Sequence, residues 1–113
     1  MAEAGATKAK ETASANLQEL QETVSRLSSH TGVEAVLILN RDGDIIAEST
    51  KAQENMSSTD AATMVSKLLK LATSYVQSLS AEDEVSFLQM RTENGRELYI
   101  APHEGYVLAL ARR

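Results

Sequence analysis

The stretch that decides the fold is TDAATMVSKLLKLATSYVQSLS, Thr59 to Ser80. Wound at about 100° per residue, its apolar residues fill one half of a helix surface. They are Ala61, Met64, Val65, Leu68, Leu69, Leu71, Ala72, Tyr75, Val76 and Leu79, while Thr63, Ser66, Lys67, Lys70, Thr73, Ser74, Gln77 and Ser78 fill the other half. An apolar arc of roughly 180° exceeds the ~100° stripe with which a helix sits on one sheet. The helix therefore needs a second partner, and a chain of 113 residues has nothing else of its own to offer.

Upstream, Val33 to Leu39 is an almost unbroken apolar run, too short and too β-branched for a helix, as expected of a strand covered on both faces. Arg41-Asp42-Gly43-Asp44 supplies the Asp-Gly of a hairpin turn, and Ile45, Ile46 and Ala47 begin the return strand. Before the first strand, Leu17, Leu20, Val24 and Leu27 recur at three- and four-residue spacing, with Ser14 or Asn16 as a cap and Gly32 as a stop. This predicts a first helix with a single narrow apolar stripe. Residues 1–13 hold no bulky hydrophobe after Met1 and are expected to form a disordered tail, leaving 14–113 as the folded domain.

Downstream of a polar loop from Ser49 to Ser58 and the long helix, three further strands are expected. Val85 to Thr92 is strand-like, Asn94-Gly95 signals a type I′ turn, and Arg96 to Ala101 is the next strand. Pro102 to Gly105 fits a turn, and Tyr106 to Ala111 closes the set. The order helix, two strands, helix, three strands predicts an α+β fold: a five-stranded antiparallel sheet with one helix on each face.

Composition narrows the function. A net charge of −5 leaves no basic surface for nucleic acid or anionic membrane, and 4% aromatic content leaves little for stacking bases or sugars. The absence of cysteine removes disulfides and thiolate chemistry and agrees with a reducing compartment. No apolar run approaches the ~20 residues of a membrane span. Each glycine stands alone, so no phosphate-binding loop is present. His30 and His103 fall in separate connections, Asp42 and Asp44 flank a turn, and Glu82, Asp83 and Glu84 form a solvated acidic run. Catalytic, metal and cofactor sites are therefore expected to be absent, and the expected ligand is protein.

Arg26-Leu27 through Gly32-Val33, Val36 to Asn40 with Asp42-Gly43, and Ser49-Thr50 resemble the opening of the Roadblock family of dynein light chains. Val85-Ser86-Phe87-Leu88-Gln89-Met90-Arg91, Ile100-Ala101-Pro102 and Tyr106-Val107-Leu108 are similar to its third strand, Ala-Pro turn and last strand. The resemblance covers Leu17 to Ala111. It implies a homodimer that pairs third strands into a ten-stranded sheet and packs second helices antiparallel. On that expectation Met64, Val65, Leu68, Leu71, Ala72 and Tyr75 line the interface from the helix, and Val85, Phe87, Leu88, Gln89 and Met90 from the strand. It also implies a non-catalytic subunit that binds dynein intermediate chains in the cytoplasm, on microtubules, with Leu17, Leu20, Val24 and Leu27 of the first helix, and the sheet beside it, as the expected contact. The alternatives within the family are a scaffold subunit for small GTPases on endolysosomal membranes and a bacterial GTPase regulator.

Overall fold

The computed structural model describes residues 17–50 and 56–113. The expected tail, the expected capping residues of the first helix and residues 51–55 of the loop before the long helix lie outside them. Helix α1 covers residues 17–28 and ends before Gly32, in a left-handed conformation with φ +87°. Strands β1 (Val33–Asn40) and β2 (Ile45–Thr50) follow, then helix α2 (Ser58–Leu79). Strands β3 (Leu88–Arg91), β4 (Glu97–His103) and β5 (Tyr106–Arg112) complete one sheet in the order β2-β1-β5-β4-β3. All its pairings are antiparallel.

Strand β1 is central and buried on both faces, as its sequence required. Val36 and Ile38 point toward α1, joining Val24, Val33 and Ala47. Leu37 and Leu39 point toward α2, joining Ala62, Val65, Ile100 and Ala109. A period-2 strand whose consecutive residues Val36 to Leu39 are all apolar can feed two cores, and this one does. Helix α2 starts at Ser57, whose hydroxyl accepts the backbone N–H of Asp60 at 3.1 Å, and Asp60 places its charge against the positive end of the helix.

Three connections differ from their sequence readings. The Asn94-Gly95 turn is not type I′. Only Gly95 has positive φ; it donates its N–H to the Thr92 carbonyl at 3.1 Å, and Thr92 donates to Arg96 at 2.8 Å. That is a three-residue loop closing on a left-handed glycine. The Arg41-Asp42-Gly43 loop closes the same way, braced by the Asn40 side chain, whose Oδ1 accepts from the N–H groups of Asp42 and Asp44 at 2.9 Å each. The two-residue turn with positive φ at both positions is Glu104-Gly105, at +44° and +89°. Strand β4 consequently runs through Pro102 to His103 instead of turning at the proline.

The same proline explains why β3 is shorter than the expected Val85 to Thr92. In a two-residue hairpin the flanking pair, His103 and Tyr106, exchanges hydrogen bonds, so alternation turns the backbone of Ile100 and Pro102 toward β3. Leu88 pairs with Ile100, and the next bonded position would fall opposite Pro102, which has no N–H to give. Pairing stops there, and Val85 to Phe87 precede the strand without belonging to it.

Candidate interaction surfaces

The wide apolar arc of α2 resolves into two edges. Ala62 and Val65 are buried against the sheet, with Ala61, Leu68 and Leu69 packed beside them. On the opposite edge Met64, Leu71, Tyr75 and Leu79 are exposed, the last three at 71%, 68% and 74%. With the half-buried Leu68 they follow steps of four, three, four and four residues, the spacing of a seam that packs on another helix. The helix is longer than its support: its 22 residues extend about 33 Å, whereas a seven-residue strand spans about 24 Å. The difference is about 9 Å, or roughly six residues of helix.

The residues expected at the dimer interface accordingly fall into two groups. Met64, Leu71, Tyr75, Phe87, Gln89 and Met90 are exposed. Val65, Leu68 and Leu88 pack in the core beneath α2, and Ala72 and Val85 are half-buried. The residues expected to meet the intermediate chain divide more sharply. Val24 is buried, with Leu20 and Leu27 against it, so this stripe is occupied by the protein's own sheet. Only Leu17, 40% exposed, stands outside.

A second open surface lies beside α1, on the sheet expected to share the partner contact with the first helix. That helix packs over β1, β2 and β5, and the same face of β4 and β3 has no helix among the described residues. An open groove of about 580 Å³ results. Leu27, His30 and Thr31 form one wall and Phe87 the other, over Tyr99, Ala101, Leu108 and Leu110, with Arg112 at one end. Phe87 packs its ring against Tyr99 at 5.8 Å between centroids and 38° between planes. The signal was present: Tyr99 and Ala101 alternate with Leu98 and Ile100, so the middle of β4 has no polar face. Which face a helix would cover was not legible.

Charges gather where β3, β4 and β5 end together. Arg91 Nη2 pairs with Glu97 Oε1 at 3.1 Å, and Arg96 Nε with Glu34 Oε2 at 3.3 Å. Arg113 Nε lies 3.9 Å from Glu34 Oε1. The Tyr99 hydroxyl donates to Glu97 Oε2. That hydrogen bond, aided by Arg91 and Arg112, holds the Glu97 carboxyl below the usual carboxylate range, and it raises the Tyr99 hydroxyl above its own. Among the described residues no three His, Asp or Glu side chains are grouped to hold a metal ion. No described helix is long and apolar enough to cross a membrane.

A five-stranded antiparallel sheet between two helices, with exposed apolar surfaces as its distinctive features, defines a small α+β domain. The chain belongs to the Roadblock/LC7 domain family, whose model matches residues 19–111. Solved structures agree on the fold. A Roadblock/LC7 domain from Streptomyces avermitilis superposes with TM-score 0.68 at 18% identity, covering 81% of this chain and 76% of that one. MglB of Myxococcus xanthus gives 0.70 at 16%, covering 85% and 71%. The gliding protein MglB of Thermus thermophilus gives 0.65 at 22%, covering 80% and 68%. These three are bacterial, and none is a dynein light chain.

Proposed function

We propose that this chain is a non-catalytic homodimeric subunit of the dynein light-chain type, which holds two intermediate chains together at the cargo-binding base of the motor for transport along microtubules. The observation that carries the dimer is the exposed seam Met64, Leu71, Tyr75 and Leu79. Leaving so many large apolar side chains in water is unfavourable by about 25 cal/mol per Å², and packing against a second copy removes that cost. The short edge strand β3 lies on the same molecule with its outer backbone unpaired among the described strands, ready to extend a sheet. Self-association agrees with a solved MglB described as having a tetrameric arrangement, at TM-score 0.62 and 23% identity.

The dynein assignment rests on the resemblance of the Phe87 strand, the Ala101-Pro102 pair and the last strand to Roadblock light chains. Bivalence gives so small a subunit its use: once one intermediate chain is held, the second contact becomes intramolecular, with an effective concentration in the millimolar range for a short linker. Light scattering at micromolar concentration should give twice the chain mass, and calorimetry with intermediate-chain fragments should give two peptides per dimer. The second reading is a scaffold for a small GTPase, toward which the likeness in fold to MglB weighs. Binding of a GTPase by a dimer that ignores every intermediate-chain fragment would establish it instead.

A further inference from the structure

The acidic run after α2 has an accessible serine in front of it. Ser80 closes the helix in an extended conformation, at φ −151° and ψ 113°, and residues 80–87 lie outside helix and strand. Glu82, Asp83 and Glu84 follow it closely, all exposed, and no ion pair among the described residues uses them. A protein kinase whose cleft is lined with basic side chains reads its substrates by such a charge pattern. Other serines fit less well. Ser57 has Asp60 three positions on but no further acids, and its hydroxyl caps α2. Ser78 donates its hydroxyl to the Ser74 carbonyl at 2.8 Å.

The turn that Ser80 closes is weakly held. Gln77 to Ser80 are all exposed, and the turn carries no basic residue to meet the negative end of the helix. The Ser80 N–H donates to the Val76 carbonyl at 3.0 Å, and Gln77 Nε2 donates to the Asp83 carbonyl at 3.3 Å. Yet this turn holds Leu79, the last residue of the seam. We infer that Ser80 is a phosphorylation site for an acid-directed protein kinase, and that its phosphate unwinds the last turn of α2, withdraws Leu79 from the seam and weakens the dimer. The effect on assembly rests on the dimer proposed above. In the transfer, Ser80 Oγ attacks the terminal phosphorus of ATP; the new O–P bond forms as the bond to ADP breaks, and the hydroxyl proton passes to a base of the kinase. The product places about −2 of charge at the negative end of α2, beside three carboxylates. With the two α2 helices antiparallel, that end also lies beside the start of the twin helix, where Asp60 adds further repulsion.

The test treats the full-length protein with casein kinase II and ATP and locates the phosphate by tandem mass spectrometry. One phosphate should appear on Ser80. It should be absent from Ser80→Ala and much reduced when Glu82→Gln, Asp83→Asn and Glu84→Gln are combined. Sedimentation across a concentration series then compares the phosphorylated and unmodified protein. Withdrawing one buried Leu from each copy implies dissociation at a concentration roughly tenfold higher or more. In the same samples, hydrogen exchange at the amides of Val76 to Ser80 should quicken on phosphorylation, while Ser80→Ala keeps the mass and dissociation of the unmodified protein. Phosphate on another residue, or on none, overturns the site. Phosphate on Ser80 with unchanged dissociation and unchanged exchange overturns the switch. If the unmodified protein is itself a monomer, the dimer fails, and mass spectrometry and exchange still decide the site and the unwinding.

Discussion

The two faces of the sheet are finished in opposite ways. On one, α2 brings more apolar surface than the sheet can use, and Met64, Leu71, Tyr75 and Leu79 are left over on the helix. On the other, the sheet brings more than α1 can cover, and Tyr99 and Ala101 are left over on β4, with Phe87 beside them. The difference follows from the elements. α1 has a narrow stripe and reaches three strands, whereas α2 has a half-cylinder and serves the sheet with only one of its edges. A surplus on a helix suits another helix; a surplus on a sheet suits whatever can lie along strands.

The sharpest test of this contrast compares two residues three apart on α2. Leu68→Asp places a charge against Ala62 and Val65 and should cost several kcal/mol, enough to lose the fold with the dimer. Leu71→Asp touches only the exposed edge, so the fold should survive while light scattering reads a single chain mass. A dimer persisting in Leu71→Asp would show that the seam is the wrong surface. Next in size, Leu39→Ala under α2 and Ile38→Ala under α1 should each cost about 2–5 kcal/mol in denaturant unfolding, because β1 is sealed equally on both faces. A much smaller cost for Ile38→Ala would mean that α1 is only loosely docked.

The smallest effect concerns the edge of the open face. Because the Tyr99 hydroxyl and the neighbouring arginines favour the charged form of Glu97, its folded-state pKa lies below its unfolded value. A depressed carboxylate contributes stability that is present above the unfolded pKa and lost as pH falls through the folded one. An NMR titration of the Glu97 carboxyl should therefore find a midpoint below the ordinary carboxylate value, and Tyr99→Phe should move it back up. An unchanged midpoint in Tyr99→Phe would assign the shift to Arg91 and Arg112 instead.

What was legible in the sequence was whatever depends on periodicity. The 3.6-residue repeat from Thr59 to Ser80 gave α2 to within a residue, and the apolar run of Val33 to Leu39 gave the doubly covered central strand. The hairpin positions were also legible, because Gly43, Gly95 and Gly105 each stand where the chain must reverse. Their turn types were not. Whether Asn94 or Glu104 takes positive φ depends on the loop length that strand pairing imposes, and the residue's own tolerance does not settle it.

The sequence by itself determined the order of elements, the two-sided character of β1 and the excess of apolar surface on α2, since all of these are properties of local spacing. Tertiary structure decided how that surface is shared. It assigned Val65 and Leu68 to the core and Leu71 and Tyr75 to solvent, although all four lie on the same apolar arc. It delayed the start of β3 to Leu88 through the missing N–H of a proline on the adjacent strand. It also placed α1 over β1, β2 and β5, so that Leu20, Val24 and Leu27 face the protein's own sheet while Tyr99 and Ala101 are left uncovered. These outcomes depend on which elements lie side by side, and hydrophobic attraction carries no direction by which one sequence could name its neighbours.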